Sequence, residues 1–320
     1  MSQNVKIFLS VFILSLPFWW GTNLLEKNLR DFFFWQEASR NPQILIAQIA
    51  LEENLINLKK DFKPALEKDV ENLEIEAAAA TSVFINKNGR EILLFEKNKD
   101  KILPIASLTK LMTALVVLEN YDLLKEIVIS EEAVEQKENF GKLTEGKVFS
   151  TEYLLYPLLM ESSNDAAFAL ANDYDGMTEK IFIELMNQEA AKLNLKNTFF
   201  DNPTGLDPAD SKRKMNYSTA ADLASLAESL LETPLVWEIL SAKEYNFYGP
   251  ELINTNELLG EIPEIIGGKT GYTEKSGGCM LLVLEAPQNK GFLVNVILGS
   301  NDRFEEIRKM VGWLKTAYQW

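Results

Sequence analysis

The sequence predicts an α/β (α+β) domain, an antiparallel sheet flanked by helices, preceded by an N-terminal transmembrane helix and a helical stalk. Three observations carry this. Short runs rich in β-branched and aromatic residues stand near both ends of residues 76–320, with stretches of 3.6-residue periodicity between them. Residues 7–25 contain no charged side chain. Residues 26–75 are charged and helical in pattern. The expected organisation is therefore a membrane anchor or signal segment at 1–25, a stalk at 26–75 and one exported domain at 76–320.

As a helix, residues 7–25 rise roughly 28 Å, close to the thickness of a bilayer core. Lys6 and the amino terminus precede this run, in the positive-inside sense, and Trp19, Trp20 and Trp35 suit an interfacial belt. A cleaved signal is the alternative, but the bulky Pro17-Phe18-Trp19-Trp20-Gly21 offers no small-residue cleavage site, so an uncleaved anchor is favoured. Either reading exports the rest of the chain. After Pro42, apolar Ile44, Ile46, Ile49, Leu51, Leu55 and Leu58 outline an amphipathic helix that Pro64 interrupts.

Within the exported domain, Thr81–Ile85 and Ile92–Phe95 read as strands joined by a hairpin at Asn86–Arg90. A helix begins at Ser107, with Leu108, Leu111, Met112, Leu115 and Val116 on its apolar stripe. Ile127–Ile129 and Val148–Phe149 are short strands. Residues 152–160 and 166–171 are helical, separated by a break at 161–164. Thr178–Leu193 is a helix, 202–205 a turn, and Ser218 is expected to cap a helix through Leu231. Ile265–Ile266, Met280–Leu284 and Phe292–Leu298 read as adjacent antiparallel strands. A final helix, Arg303–Tyr318, places Phe304, Ile307, Val311 and Leu314 on one face. The sheet is then built from both ends of the segment.

Composition removes whole classes of chemistry. The formal net charge is −15, opposite to what phosphate binding needs, so nucleic acid is not an expected partner. The absence of histidine excludes a Ser-His-Asp triad and a histidine metal site. Cys279 is the only cysteine and lies in an apolar run, so it reads as a core residue; neither a disulfide nor a thiolate zinc cluster is available, and no cofactor or metal is expected. A hydrolase built from this chain must use Ser, Lys, Tyr or carboxylates.

Ser107 and Lys110 are spaced to share one helical face, so an amine can reach a hydroxyl. A serine hydroxyl needs a base beside it, and a lysine is that base if burial or a nearby cation lowers its pKa. A second Ser-x-x-Lys, Ser211 to Lys214, lies in a polar, charged run and reads as a solvated loop. Ser162-Ser163-Asn164 brings a hydroxyl and an amide to the break between helices, and Lys269-Thr270-Gly271, a tripeptide that occurs once, falls on a predicted strand.

Taken in this order and context, the motifs resemble those of penicillin-binding proteins and serine β-lactamases. The flanking stretches Ala106–Ala114, Ser163–Ala167, Asn197–Leu206, Ser218–Ala224 and Gly268–Thr273 are similar to the low-molecular-mass D-alanyl-D-alanine carboxypeptidases over about 80–320. The resemblance implies a β-lactamase/transpeptidase-like fold, peptidoglycan stem peptides as substrate and β-lactam antibiotics as covalent inhibitors, on the outer face of a bacterial cell membrane. It implies that Ser107 attacks the carbonyl of the penultimate D-Ala, Lys110 takes its proton and Ser162 relays a proton to the leaving amine. Asn164 would bind the substrate amide and hold Lys110. Lys269 and Thr270 would receive the terminal carboxylate, with Arg303 aligned to a family arginine of that role. Gly271 would let the substrate approach the strand, and the oxyanion hole would be the N–H groups of Ser107 and Tyr272.

The chain departs from the pattern in three places. Gly268 stands where a bulky apolar residue often precedes the lysine, and the loop before Ser218 lacks the histidine it often carries. The sequence ends at Trp320, after the final helix, which leaves anchoring to the N-terminal segment. A class A β-lactamase would need a deacylating glutamate, and Leu195–Gly205 has none. A D,D-endopeptidase cutting peptidoglycan cross-links is the runner-up, and a non-catalytic peptidoglycan-binding protein is a remoter alternative.

Overall fold

The structure, a computed structural model, describes residues 62–137, 143–208, 214–246 and 251–320. The apolar run 7–25 and the stalk through residue 61 lie outside the described residues. Among the described residues no helix is long and apolar enough to cross a membrane.

The strands are β1 (Ala65–Leu66), β2 (Ala79–Asn86), β3 (Glu91–Lys97), β4 (Leu103–Pro104), β5 (Glu126–Val128), β6 (Val148–Ser150), β7 (Tyr217–Ser218), β8 (Glu244–Tyr245), β9 (Leu252–Ile253), β10 (Ile265–Thr273), β11 (Gly277–Glu285), β12 (Gly291–Ser300) and β13 (Tyr318–Gln319). The helices are α1 (Thr109–Asn120), α2 (Glu131–Val134), α3 (Thr151–Tyr156), α4 (Asn164–Asn172), α5 (Glu179–Lys192), α6 (Ala220–Leu230), α7 (Pro234–Ser241) and α8 (Arg303–Ala317). Five strands form the main antiparallel sheet in the order β10-β11-β12-β2-β3, so the two ends of the domain do supply one sheet.

This sheet is the middle of three layers, and the pleat sorts its side chains. In β11, Cys279, Leu281 and Val283 join the core shared with helices α1 to α7, while Met280, Leu282 and Leu284 join a second core with Ile307, Met310, Val311 and Leu314 of α8. Burial on both faces explains why β11 and β12 read as continuous apolar runs and not as alternating ones. Strand β10 is an edge: β11 covers one side, and its other side faces the turn that carries Ser107.

The local signals are met in part. Asn86–Arg90 closes the predicted hairpin, with Gly89 at φ +74° and the Asn86 carboxamide accepting the N–H groups of Asn88 and Arg90. Thr178 caps α5. Ser218, however, is not the cap of α6. Thr219 holds that position and accepts from Asp222 N, while Ser218 pairs in β7 and its hydroxyl meets that of Thr198 at 2.7 Å. Adjacent hydroxyls both suit an N-cap, and the pairing of β7 with β4 decides between them.

Residues 62–75 pack with the domain expected from residue 76, in one compact unit that runs from Phe62 to Trp320. Phe62 sits edge-on to Phe84 and stacks on Trp320, β1 pairs with β13, and the Trp313 indole donates to Glu71 O at 2.8 Å. Residues 62–75 are thus a strap over the α8 side of the sheet. Their charged sequence hid this, because the aromatic partners they cover, Phe84, Trp313 and Trp320, lie elsewhere in the chain. A fragment starting at residue 76 is expected to melt roughly 5–10 °C below one starting at residue 62, since about 2–3 kcal/mol of aromatic burial and hydrogen bonding is lost. Paired thermal melts of the two fragments check this.

Candidate active site

The predicted helix at Ser107 begins with a 3₁₀ turn, Ala106–Leu108, before α1 takes over at Thr109. Ala106 has φ +46°, a conformation that costs a non-glycine residue energy and that persists only where its surroundings impose it. It packs against Gly205, whose own φ is +85°. A Cβ there would lie 2.1 Å from Ala106 O, so the two backbones are in direct contact.

Lys110 is fully buried, yet its amine is well provided for. Its Nζ lies 3.1 Å from Ser107 Oγ, 2.8 Å from Asn164 Oδ1 and 2.7 Å from Thr204 O. Asn164 opens α4 and is fixed by a second bond, from its Nδ2 to Lys137 O at 2.8 Å. Thr204 O comes from the Asn202–Gly205 turn. Within it Asn202 Oδ1 accepts from Thr204 N, Thr204 Oγ1 and Gly205 N, and the Thr113 hydroxyl donates to Pro203 O.

Ser162 ends a π-helical turn, Pro157–Glu161, in the left-handed region at φ +63°, ψ +33°. Ser163 then caps α4 by accepting from Ala166 N. The break between helices is therefore one left-handed residue. It aims the Ser162 hydroxyl inward, where it is buried with no hydrogen-bond partner among the described residues. A buried, unpaired hydroxyl is costly, and such groups gather where a ligand completes the bonding.

Across the cleft, β10 presents the third motif. Lys269 is also fully buried, with Nζ donating to Thr270 O at 3.0 Å. Burial, reinforced by the positive charge of Arg303, pushes its pKa down to about 7. Arg303, at the start of α8, has its Nη1 3.4 Å from Gly271 O, and its Nε is buried without a partner among the described residues. It thus lies beside β10, half-buried. A Cβ on Gly271 would lie 3.0 Å from Ser107 N and 3.1 Å from Ala106 Cβ, which explains the glycine: the β10 backbone rests against the Ser107 amide. Thr270 is buried in the same strand, while Tyr272 is 62% exposed.

The fold thus joins Ser107, Lys110 and Asn164 by hydrogen bonds, sets Gly271 of the Lys269-Thr270-Gly271 strand against the Ser107 amide and brings Arg303 to Gly271 O, while Ser162 stands two residues before Asn164. Of the second Ser-x-x-Lys, Ser211 lies outside the described residues, and Lys214 is exposed with its amine over the Phe199 ring at 5.0 Å. The site is cationic in a chain of net charge −15, which suits an anionic end group.

Residue-by-residue reading missed Asn216. Its Oδ1 accepts from Asp201 N and Asn202 N, and its Nδ2 donates to Thr109 Oγ1 and Asn202 O. It thereby locks the turn that carries Thr204 to the helix that carries Lys110. The one available signal was the loop before Ser218 lacking its usual histidine; the structure places Asn216 in that loop with a buried network of its own. Asn216→Ala is expected to lower stability by about 2–4 kcal/mol, because several buried polar groups lose their partner together. Urea unfolding at constant m-value checks this.

A family model described as D-alanyl-D-alanine carboxypeptidase matches residues 67–302. A D-alanyl-D-alanine endopeptidase of Pseudomonas aeruginosa is 33% identical over 257 residues, covering 77% of this chain and 80% of its own length. The D-alanyl-D-alanine carboxypeptidase DacF of Bacillus subtilis is 31% identical over 263 residues, covering 77% of this chain and 64% of its own. Among solved structures, penicillin-binding protein D2 of Listeria monocytogenes in its cefotaxime-bound form superposes with a TM-score of 0.66 at 29% identity, over 77% of this chain and 99% of that one. With a family model covering most of its length and the three motifs meeting in one cleft, the chain belongs to the D-alanyl-D-alanine carboxypeptidase family of serine peptidases.

Proposed function

We propose that this chain is a serine D,D-carboxypeptidase that removes the terminal D-Ala from peptidoglycan stem pentapeptides through an acyl-enzyme on Ser107. The observation that carries this is the setting of the Lys110 amine. Two of its neighbours, Asn164 Oδ1 and Thr204 O, can only accept hydrogen bonds. A neutral amine has two hydrogens and one lone pair. When both hydrogens go to those acceptors, the lone pair is left for the Ser107 hydroxyl 3.1 Å away. The base is thus oriented by its surroundings.

In the proposed sequence, Ser107 Oγ attacks the penultimate D-Ala carbonyl as its proton passes to Lys110. The N–H groups of Ser107 and Tyr272 hold the developing oxyanion; such donors are typically worth about 3 kcal/mol each. Lys110 returns the proton through the Ser162 hydroxyl to the departing amine, the C–N bond breaks and D-Ala leaves. Water then cleaves the ester. Lys269, Thr270 and Arg303 receive the terminal carboxylate, and Asn164 binds the substrate amide while steadying Lys110. A β-lactam acylates the same serine and persists, since Leu195–Gly205 holds no glutamate to activate water.

Residues 7–25 form the proposed membrane anchor, with the catalytic domain on the outer face; the uncharged run itself supports this reading. A D,D-endopeptidase is the second reading, favoured by the P. aeruginosa relative that bears that name. Monomeric pentapeptide and cross-linked muropeptides separate the two by mass spectrometry. Loss of one D-Ala, with the dimer intact, is the expected result; conversion of dimer to monomers makes the chain an endopeptidase.

Ser107→Ala is expected to abolish both turnover and covalent penicillin labelling while the fold survives. A labelled variant overturns the assignment of the nucleophile. The pH profiles are expected to diverge. Because kcat requires neutral Lys110, it should climb toward alkaline pH. Lys269 is a cation only below about 7 in the free protein, so the attraction for a carboxylate should weaken and KM should rise above that pH. Lys269→Arg, charged throughout, should remove the KM dependence; steady-state kinetics from pH 5 to 9 measure both.

A further inference from the structure

Thr255 lies in the loop between β9 and β10 and belongs to none of the three motifs. Its hydroxyl is 2.7 Å from that of Thr270. Its backbone N–H donates to Met160 O at 3.0 Å, in the turn that ends at Ser162. One residue therefore touches both walls of the cleft, the break that carries Ser162 and the strand that carries Lys269 and Thr270.

The loop is held as if its placement matters. Glu161 Oε1 accepts from Ile253 N at 3.2 Å. Buried Asn254 donates to Leu240 O and Ala242 O at the end of α7, and its own Oδ1 accepts from Asn256 N. Buried Asn256 in turn accepts from Leu258 N. Thr255, half-buried between these two asparagines, sends its hydroxyl to Thr270.

We infer that Thr255 is a positioning residue that sets the direction of the Thr270 proton, and through it the selectivity of the site for a free terminal carboxylate. The inference rests on the carboxypeptidase reading above. Each hydroxyl has one hydrogen and can accept two. A carboxylate only accepts, so binding one selects the chain in which Thr255 donates to Thr270 and Thr270 donates to the ligand. A donor that is itself accepting a hydrogen bond is polarised, and a charged acceptor gains most from that. An esterified terminus, being neutral, gains little.

The test compares the wild-type chain with Thr255→Val, which keeps the shape and removes the hydroxyl, and Thr255→Ser, which restores it. Acylation rates of Ser107 by benzylpenicillin and by its methyl ester are measured, with melting temperatures as a check on the fold. The expected result is a roughly 5-fold fall for the free acid in the valine variant, the scale of one hydrogen bond, with the ester rate little changed and the serine variant close to wild type. Equal losses on acid and ester, an unchanged acid rate, or a serine variant as poor as the valine one each overturn the inference. Wild-type protein labelled by neither compound overturns the carboxypeptidase reading, and this inference with it.

Discussion

The burial of one amine organises this domain. Lys110 has no contact with water, and a lysine in that position must be given hydrogen-bond partners or be driven neutral. The chain supplies partners from three separate places: the turn before its own helix, the start of α4 and the Asn202–Gly205 turn. Each lies far from the others in sequence. The strained Ala106, the obligatory Gly205, the locking Asn216 and the cap at Ser163 all serve to bring these partners within reach.

The sheet plays a different part. It is apolar on both faces and gives the cleft one rigid wall, the backbone of β10. Glycine at 271 lets that wall approach the Ser107 amide, and Lys269 and Arg303 add charge beside it. In the proposed mechanism the helical wall carries the groups that move protons, and the sheet wall carries those that hold charge. This division follows from the materials. A helix presents neighbouring side chains on one face, while an edge strand presents backbone groups and alternate side chains.

Much of the fold was legible because its signals were local. The hairpin at Asn86–Arg90, the capped helix after Thr178 and the apolar strands of the C-terminal third arise from neighbouring residues. The motif residues were legible as chemistry, since a serine one helical turn from a lysine has an evident use. The hidden features depend on distant pairing. Ser218 looked like a cap until β7 paired with β4. Residues 62–75 looked like stalk because Phe84 and Trp320, which they cover, are distant in sequence. Asn216 was invisible as a functional residue, because nothing near it in the chain shows that Thr109 and Asn202 converge there. The carbonyl of Thr204, being backbone, leaves no mark on the sequence at all.

The pairing of β1 with β13 has a mechanical consequence. The first and last described strands of the domain are clipped to each other, on the α8 side of the sheet, while the catalytic cleft opens on the other face. Tension applied to the chain where it enters at Phe62 meets first the aromatic contact with Trp320 and then the two-residue ladder of β1 and β13. The strap can yield in stages while the five-stranded sheet stands between the load and Ser107. An enzyme pulled from one end would keep its cleft in register longer than its outer edge.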